Sequence, residues 1–144
     1  MSLPIFQCQV FGKNVHCFIL MDYFVFLQKR NAMQILSEKI SKDNLKTLAA
    51  NTFVDMIKCV ADVRLGLLAV DAELHADLES LLLEKGSQQE DLWGFNLYPD
   101  EAGDDFVEFD SLINIRAWQG NRSRDVEDET VRQQIRDIVS KYVE

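Results

Sequence analysis

The sequence is poor in the residues from which most catalytic motifs are built. Its three cysteines, Cys8, Cys17 and Cys59, form no CxxC pair. That argues against a thiolate metal cluster or a disulfide scaffold and favours a reducing, cytoplasmic setting. Of two histidines only His75 lies beyond Met33, which excludes a two-histidine metal site within that part of one chain. No GxSxG, HExxH or phosphate-loop pattern occurs, and no nucleophile–base pair can be assigned. Two prolines and six glycines leave no linker, repeat or low-complexity tract.

Positive charge is also scarce. Fifteen Lys and Arg against 24 Asp and Glu give a formal charge of −9. Nucleic-acid binding rests on neutralising phosphates with Lys and Arg, so no nucleic-acid partner is expected. An anionic membrane surface is disfavoured on the same ground. A basic protein, a small ligand or a second copy of the chain are the partners compatible with this balance.

What is present is an ordinary globular composition, 47% hydrophobic and 27% charged over 144 residues, enough for one domain with a real core. Residues 1–32 stand apart from the rest. They hold five of the nine Phe, two of the three Cys and a single acid, Asp22, with a charge of about +2 against about −11 for residues 33–144. The apolar run Val15–Leu27 is thirteen residues long and contains Asp22, short of the about 20 that a membrane-spanning helix needs. Lys29 and Arg30 follow that run, whereas a signal peptide places its cations before it. A hairpin of Ile5–Phe11 and Val15–Met21 about Gly12-Lys13-Asn14 is structurally feasible. The preferred expectation is that Met33 is the true start and that residues 1–32 are upstream sequence read in frame.

From Met33 the periodicities give an α+β domain. Met33–Leu36 suits a short edge strand. Ser41 is placed as an N-cap for a helix over 42–56, with Leu45, Leu48, Ala49, Phe53 and Met56 on its apolar stripe. Ile57–Val63 and Leu67–Ala72 read as two strands about Arg64-Leu65-Gly66, with a helix continuing to Val70 as the competing reading. A short helix over 78–84 and a strand over 92–98 follow. Asp125 or Asp128 caps a last helix whose stripe is Val131, Ile135, Ile138, Val139 and Tyr142. The expected architecture is a mainly antiparallel sheet of about four to five strands, with the helices on one face.

The stretch Asp104–Arg124, DDFVEFDSLINIRAWQGNRSR, concentrates the polar groups. Read by twos, Val107, Phe109, Ser111, Ile113 and Ile115 fall on one face of a strand running to Arg116. Glu108, Asp110, Leu112, Asn114 and Arg116 fall on the other. The following loop, with Gln119, Asn121, Arg122 and Arg124, resembles an anion cradle ahead of a helix start, although Asp125, Glu127, Asp128 and Glu129 already occupy that start. Trp118 is an anchor for a partner if exposed.

The spacing Glu73-x-His75-x-Asp77, with Glu108 and Asp110, could supply ligands for a divalent cation. A lone His among carboxylates is more often a hydrogen-bonded structural residue. Glu108 and Asp110 could act as acid and base, but alternating carboxylates are usually solvated. No cofactor is assigned.

The blocks ELHADLE at 73–79, QEDLWGFNLYP at 89–99, EFDSLINIR at 108–116 and QGNRSRDVED at 119–128 carry a resemblance. Over about residues 33–144 the chain resembles a family of small prokaryotic proteins defined only as a domain of unknown function. The resemblance carries over no catalytic residue.

Two functions of different class follow. One is an acidic interaction domain using the polar strand face 108–116 and loop 117–124. The other is an enzyme or ligand-binding protein with a polar pocket drawing on His75, Asp77, Asn96, Tyr98, Glu108, Asp110, Asn114, Arg116, Arg122 and Arg124. Converging side chains in a concave pocket would favour the second, and a flat face with Trp118 exposed the first.

Overall fold

The computed structural model describes residues 33–144; the hairpin and start-site readings for residues 1–32 lie outside them. Five strands form one antiparallel sheet: β1 (Gln34–Ile35), β2 (Ile57–Asp62), β3 (Leu67–Val70), β4 (Leu92–Leu97) and β5 (Val107–Glu108). Their order across the sheet is β1-β3-β2-β4-β5. Three α-helices accompany them among the described residues, α1 (Lys42–Thr52), α2 (His75–Glu84) and α3 (Glu129–Tyr142). The expected α+β class is borne out. Among the described residues no helix is long and apolar enough to cross a membrane.

Local chemistry explains most element ends. The Ser41 hydroxyl accepts from the Asn44 amide at 3.2 Å and caps α1, while Asp128 caps α3 by accepting from Thr130 and Val131. Helix α1 stops at Thr52, four residues before the expected Met56, because Phe53 and Val54 both donate to the Ala49 carbonyl and Val54 takes a left-handed φ of 78°. The 57–72 region is two strands. The Asp62 carboxylate accepts from the Arg64 and Leu65 amides at 2.9 and 2.7 Å, and Gly66 supplies the positive φ that closes the hairpin.

Alternation along β2 and β4 divides the core into two layers. Ile57, Cys59, Ala61, Trp93, Phe95 and Leu97 pack with Leu45 and Ala49 of α1 and with Ile135, Ile138 and Val139 of α3. On the opposite face Val60, Ala69 and Leu92 pack with Leu78 and Leu82 of α2. The helices therefore cover both faces and not one. The reason is that β2 and β4 are apolar at successive positions, so both sides of the sheet require cover.

Two further expectations are corrected. Helix α2 begins at His75 and not at Leu78. The long central strand over 106–116 shrinks to Val107–Glu108, followed by short 3-10 turns at Leu112–Asn114 and Ala117–Gln119. Asn114 and Arg116, expected on an outer polar face, are buried at 0% and 4% exposure, whereas Leu112 and Ile115 are exposed. In place of a strand ladder, side chains engage the edge of β4. The Asn114 amide accepts from Gly94 N–H and donates to Gly94 C=O, each at 2.8 Å. The Arg116 guanidinium donates to the Leu92 carbonyl at 2.6 Å. These two side chains supply the hydrogen bonds that a longer β5 would have supplied.

Candidate functional site

The antiparallel register sets Lys58 of β2 opposite Asn96 of β4, and Asn96 opposite Glu108 of β5. Three polar side chains thus stand side by side on one rung, on the sheet face that α2 covers only in part. The first turn of α2 and the 110–113 segment rise on either side. Between them lies a cleft of about 590 Å³, lined by Met56, Lys58, Leu74, His75, Ala76, Asn96, Tyr98, Glu108, Asp110, Ser111, Leu112, Ile113 and Arg124. Lys58, Asn96 and Glu108 lay a polar strip across a lining that is otherwise largely apolar, and its lips, Leu74 and Leu112, are exposed.

His75 is 8% exposed, and its Nε2 lies 2.9 Å from the Phe95 carbonyl. A carbonyl only accepts, so Nε2 donates, and in the neutral ring Nδ1 carries the lone pair. Burial lowers the imidazole to about 4, assisted by nearby Lys58 and opposed by the Phe95 bond, Asp110 and the Asn96 amide. His75 is therefore a neutral acceptor at physiological pH.

Asn96 is 3% exposed, and its Nδ2 donates to Glu108 Oε2 at 2.9 Å; its Oδ1 makes no hydrogen bond of ordinary geometry, although the side chain lies near enough to His75 to favour the charged imidazole. Such an unmatched buried acceptor is uncommon in a folded chain. Tyr98 Oη donates to the same Glu108 oxygen at 3.0 Å. Burial, then that bond to the carboxylate, pushes the phenol up to about 12. Asp110 is held by a two-point pair with Arg124, at 2.5 and 3.0 Å, which pins the rim. No carboxylate among the described residues pairs with Lys58, whose ammonium sits 4.7 Å from the Phe53 ring centroid.

Of the residues singled out in the sequence, His75, Asn96, Tyr98, Glu108, Asp110 and Arg124 converge in this cleft. The others do not. Glu73 and Asp77 are exposed and line no part of it, because a helix start at His75 sends residues two apart in different directions. Among the described residues no group of three or more His, Cys, Asp or Glu could hold a metal ion.

Asn114 and Arg116 bond β4, as described, and Arg116 also contacts Glu79 at 3.4 Å and the Trp93 ring. Gln119 donates to the Glu90 carbonyl at 2.6 Å. Asn121 donates to the carbonyls of Asn114, Ser123 and Asp125 and accepts from Glu127 N–H. The Arg122 amide bonds Glu127, whose carboxyl is held below its usual range by the Ser123 hydroxyl and that amide. The expected anion cradle has thus spent many of its donors on its own chain.

Lys58 and Ser111 were missed as site residues. The signal for Lys58 was present: in IKCVAD it is the one cation of an apolar strand, and period two puts it on the face of Val60 and Asp62.

No curated protein and no solved structure matches the chain. A family model described as "Protein of unknown function (DUF5674)" matches residues 34–142, from β1 to the last residue of α3, and the chain belongs to that family.

Proposed function

We propose that the protein binds a small polar molecule in the cleft between the start of α2 and the 107–113 segment. The observation that carries this reading is the unmatched Oδ1 of Asn96, 3% exposed and set in the wall of a 590 Å³ cleft. Buried polar atoms are almost always satisfied, and each exception calls for an explanation; of the four among the described residues, Asp62 Oδ2, Asp71 Oδ1, Ser87 Oγ and Asn96 Oδ1, only the last lines the cleft. The neutral His75 and the doubly bonded Glu108 add two fixed acceptors, so the wall is preorganised rather than merely solvated. The same groups offer a neutral acceptor, His75 Nδ1, and a carboxylate, Glu108, to an enzymatic version of this reading.

The test is a thermal-shift and NMR screen of the full chain against metals, nucleotides, amines and small acids. A ligand specific for the folded state raises the melting temperature by mass action, and it should perturb amides of 56–58, 74–76 and 96–98. Hits that perturb only residues elsewhere overturn the reading.

A second reading rests on a separate observation. Trp118 is 70% exposed, and Leu112 and Ile115 beside it in sequence are exposed as well, a loop surface suited to anchoring a protein partner. A basic partner would complement the charge of −9. Co-purification that depends on Trp118 and leaves the cleft amides unmoved would favour this reading. A cytoplasmic setting accords with both, since Cys59 is a free buried thiol whose pKa burial raises.

A further inference from the structure

We infer that the ligand is a small zwitterion of the α-amino-acid type, its ammonium held by Asn96 and Glu108 and its carboxylate by Lys58 and the first turn of α2. This rests on the cleft being a ligand site, and it adds the chemistry of what binds there.

The argument begins with the rung. Lys58, Asn96 and Glu108 are direct register partners on three adjacent strands, so cation, neutral acceptor and anion stand in line on one face. Adjacent strands are about 4.8 Å apart, so the backbone line spans about 10 Å, with the Glu108 carboxylate leaning onto Asn96 and the Lys58 ammonium over the Phe53 ring. An α-amino acid carries an ammonium and a carboxylate a few ångströms apart, one for each end of this line.

Each end is open to its half of such a ligand. At the anionic end Glu108 Oε2 already accepts from Asn96 and Tyr98, which orients the carboxylate and leaves Oε1 for an incoming N–H. Asn96 Oδ1 is the unmatched buried acceptor beside it. At the other end Lys58 has no carboxylate partner among the described residues, and Leu74, the residue before α2, gives the helix no side-chain cap. The His75 and Ala76 amides at the start of this ten-residue helix favour a carboxylate, while the Asp77 amide bonds the Leu74 carbonyl and the exposed Asp77 side chain shares the first turn. A purely cationic ligand would leave Lys58 facing it unmatched. A purely anionic one would face Glu108 and the acceptor oxygen of Asn96.

The test uses the full chain with L-amino acids as probes at millimolar concentration. Each is compared with the amine lacking its carboxylate and the acid lacking its amino group, by thermal shift and calorimetry. The expected result is binding by at least one amino acid, about tenfold or more tighter than by either half-analogue, since each lost charge-assisted contact costs at least that factor. K58M should erase the advantage over the amine, and E108Q the advantage over the acid. Both positions are solvent-accessible, so the variants should fold, and far-ultraviolet circular dichroism checks that they do.

An amine binding as tightly as its amino acid overturns the zwitterion, as does a discrimination that survives K58M and E108Q. If another class of molecule perturbs the cleft and no amino acid does, the zwitterion falls while the ligand site stands. If no molecule of any class perturbs the cleft, both fall.

Discussion

Asn114 and Gly94 form a closed pair: the amide of one side chain meets both the N–H and the C=O of the other residue's backbone, each at 2.8 Å. The pair lies in the interior, with Asn114 fully buried. Asn114→Ala would leave both Gly94 groups without a partner away from water, at about 1–3 kcal/mol for each orphaned group. The expected loss is about 2–5 kcal/mol in urea denaturation. A loss under about 0.5 kcal/mol, the range of an ordinary surface change, would mean that water replaces the amide.

Gly94 is constrained from the same side. A Cβ added there would meet Ser111 Oγ at 2.5 Å and Ser111 Cβ at 2.7 Å, closer than side chains approach. Gly94→Ala should therefore push the 111–114 segment off β4, at about 1–3 kcal/mol for an overpacked core. Pairing it with Ser111→Gly should recover part of that loss, and a double-mutant cycle measures the recovery.

His75 makes stability depend on pH. Its folded value of about 4 lies below the ordinary 6.5, so between these two the unfolded chain binds more protons than the folded one. Stability is fully present above pH 6.5, declines as pH falls through the window, and has lost its His75 contribution below pH 4. The contribution is about 3 kcal/mol at 1.36 kcal/mol per unit. Denaturation midpoints of His75→Gln should be flatter with pH across that window than those of the unaltered chain.

Val54 holds a left-handed φ of 78° just past α1, with 79% of its surface exposed. A β-branched residue pays a steric penalty there that glycine does not. Val54→Gly should raise stability by about 0.5–1 kcal/mol, the steric relief of about 1–2 kcal/mol less the entropy glycine adds to the unfolded chain. A lower midpoint in the same urea titration would show that the valine makes a contact worth more than its strain.

Much of the fold was legible because β2, β3 and β4 are rich in the residues that suit a pleated, buried surface, and Gly66 marks their turn. The 104–124 stretch was misread for an identifiable reason. FVEFDSLINIR alternates apolar and polar residues by twos, as a strand does, but the chain leaves the ladder after Glu108. Asn114, Arg116 and Asn121 then take up by side chain the bonds a strand would make by backbone. Ser, Asn and Gly in that stretch compete with regular structure in this way, a signal outweighed by the periodicity. The site was half legible. His75, Asn96 and Glu108 were named on chemistry, but their juxtaposition depends on the β2–β4–β5 register, and Lys58 was hidden in an apolar run.

The side-chain substitution for a strand along β4 bears on how this molecule can change over generations. In a ladder, one inserted residue reverses the facing of every residue after it. Here the main chain between Glu108 and Arg116 is moored at β4 chiefly by two side chains, and a residue gained or lost between moorings only reshapes an arc. The rim of the cleft, Leu112 and Ile113 included, can therefore be rewritten in both length and identity while the Lys58–Asn96–Glu108 rung keeps its register. Variation among relatives should gather at that rim and spare the moorings.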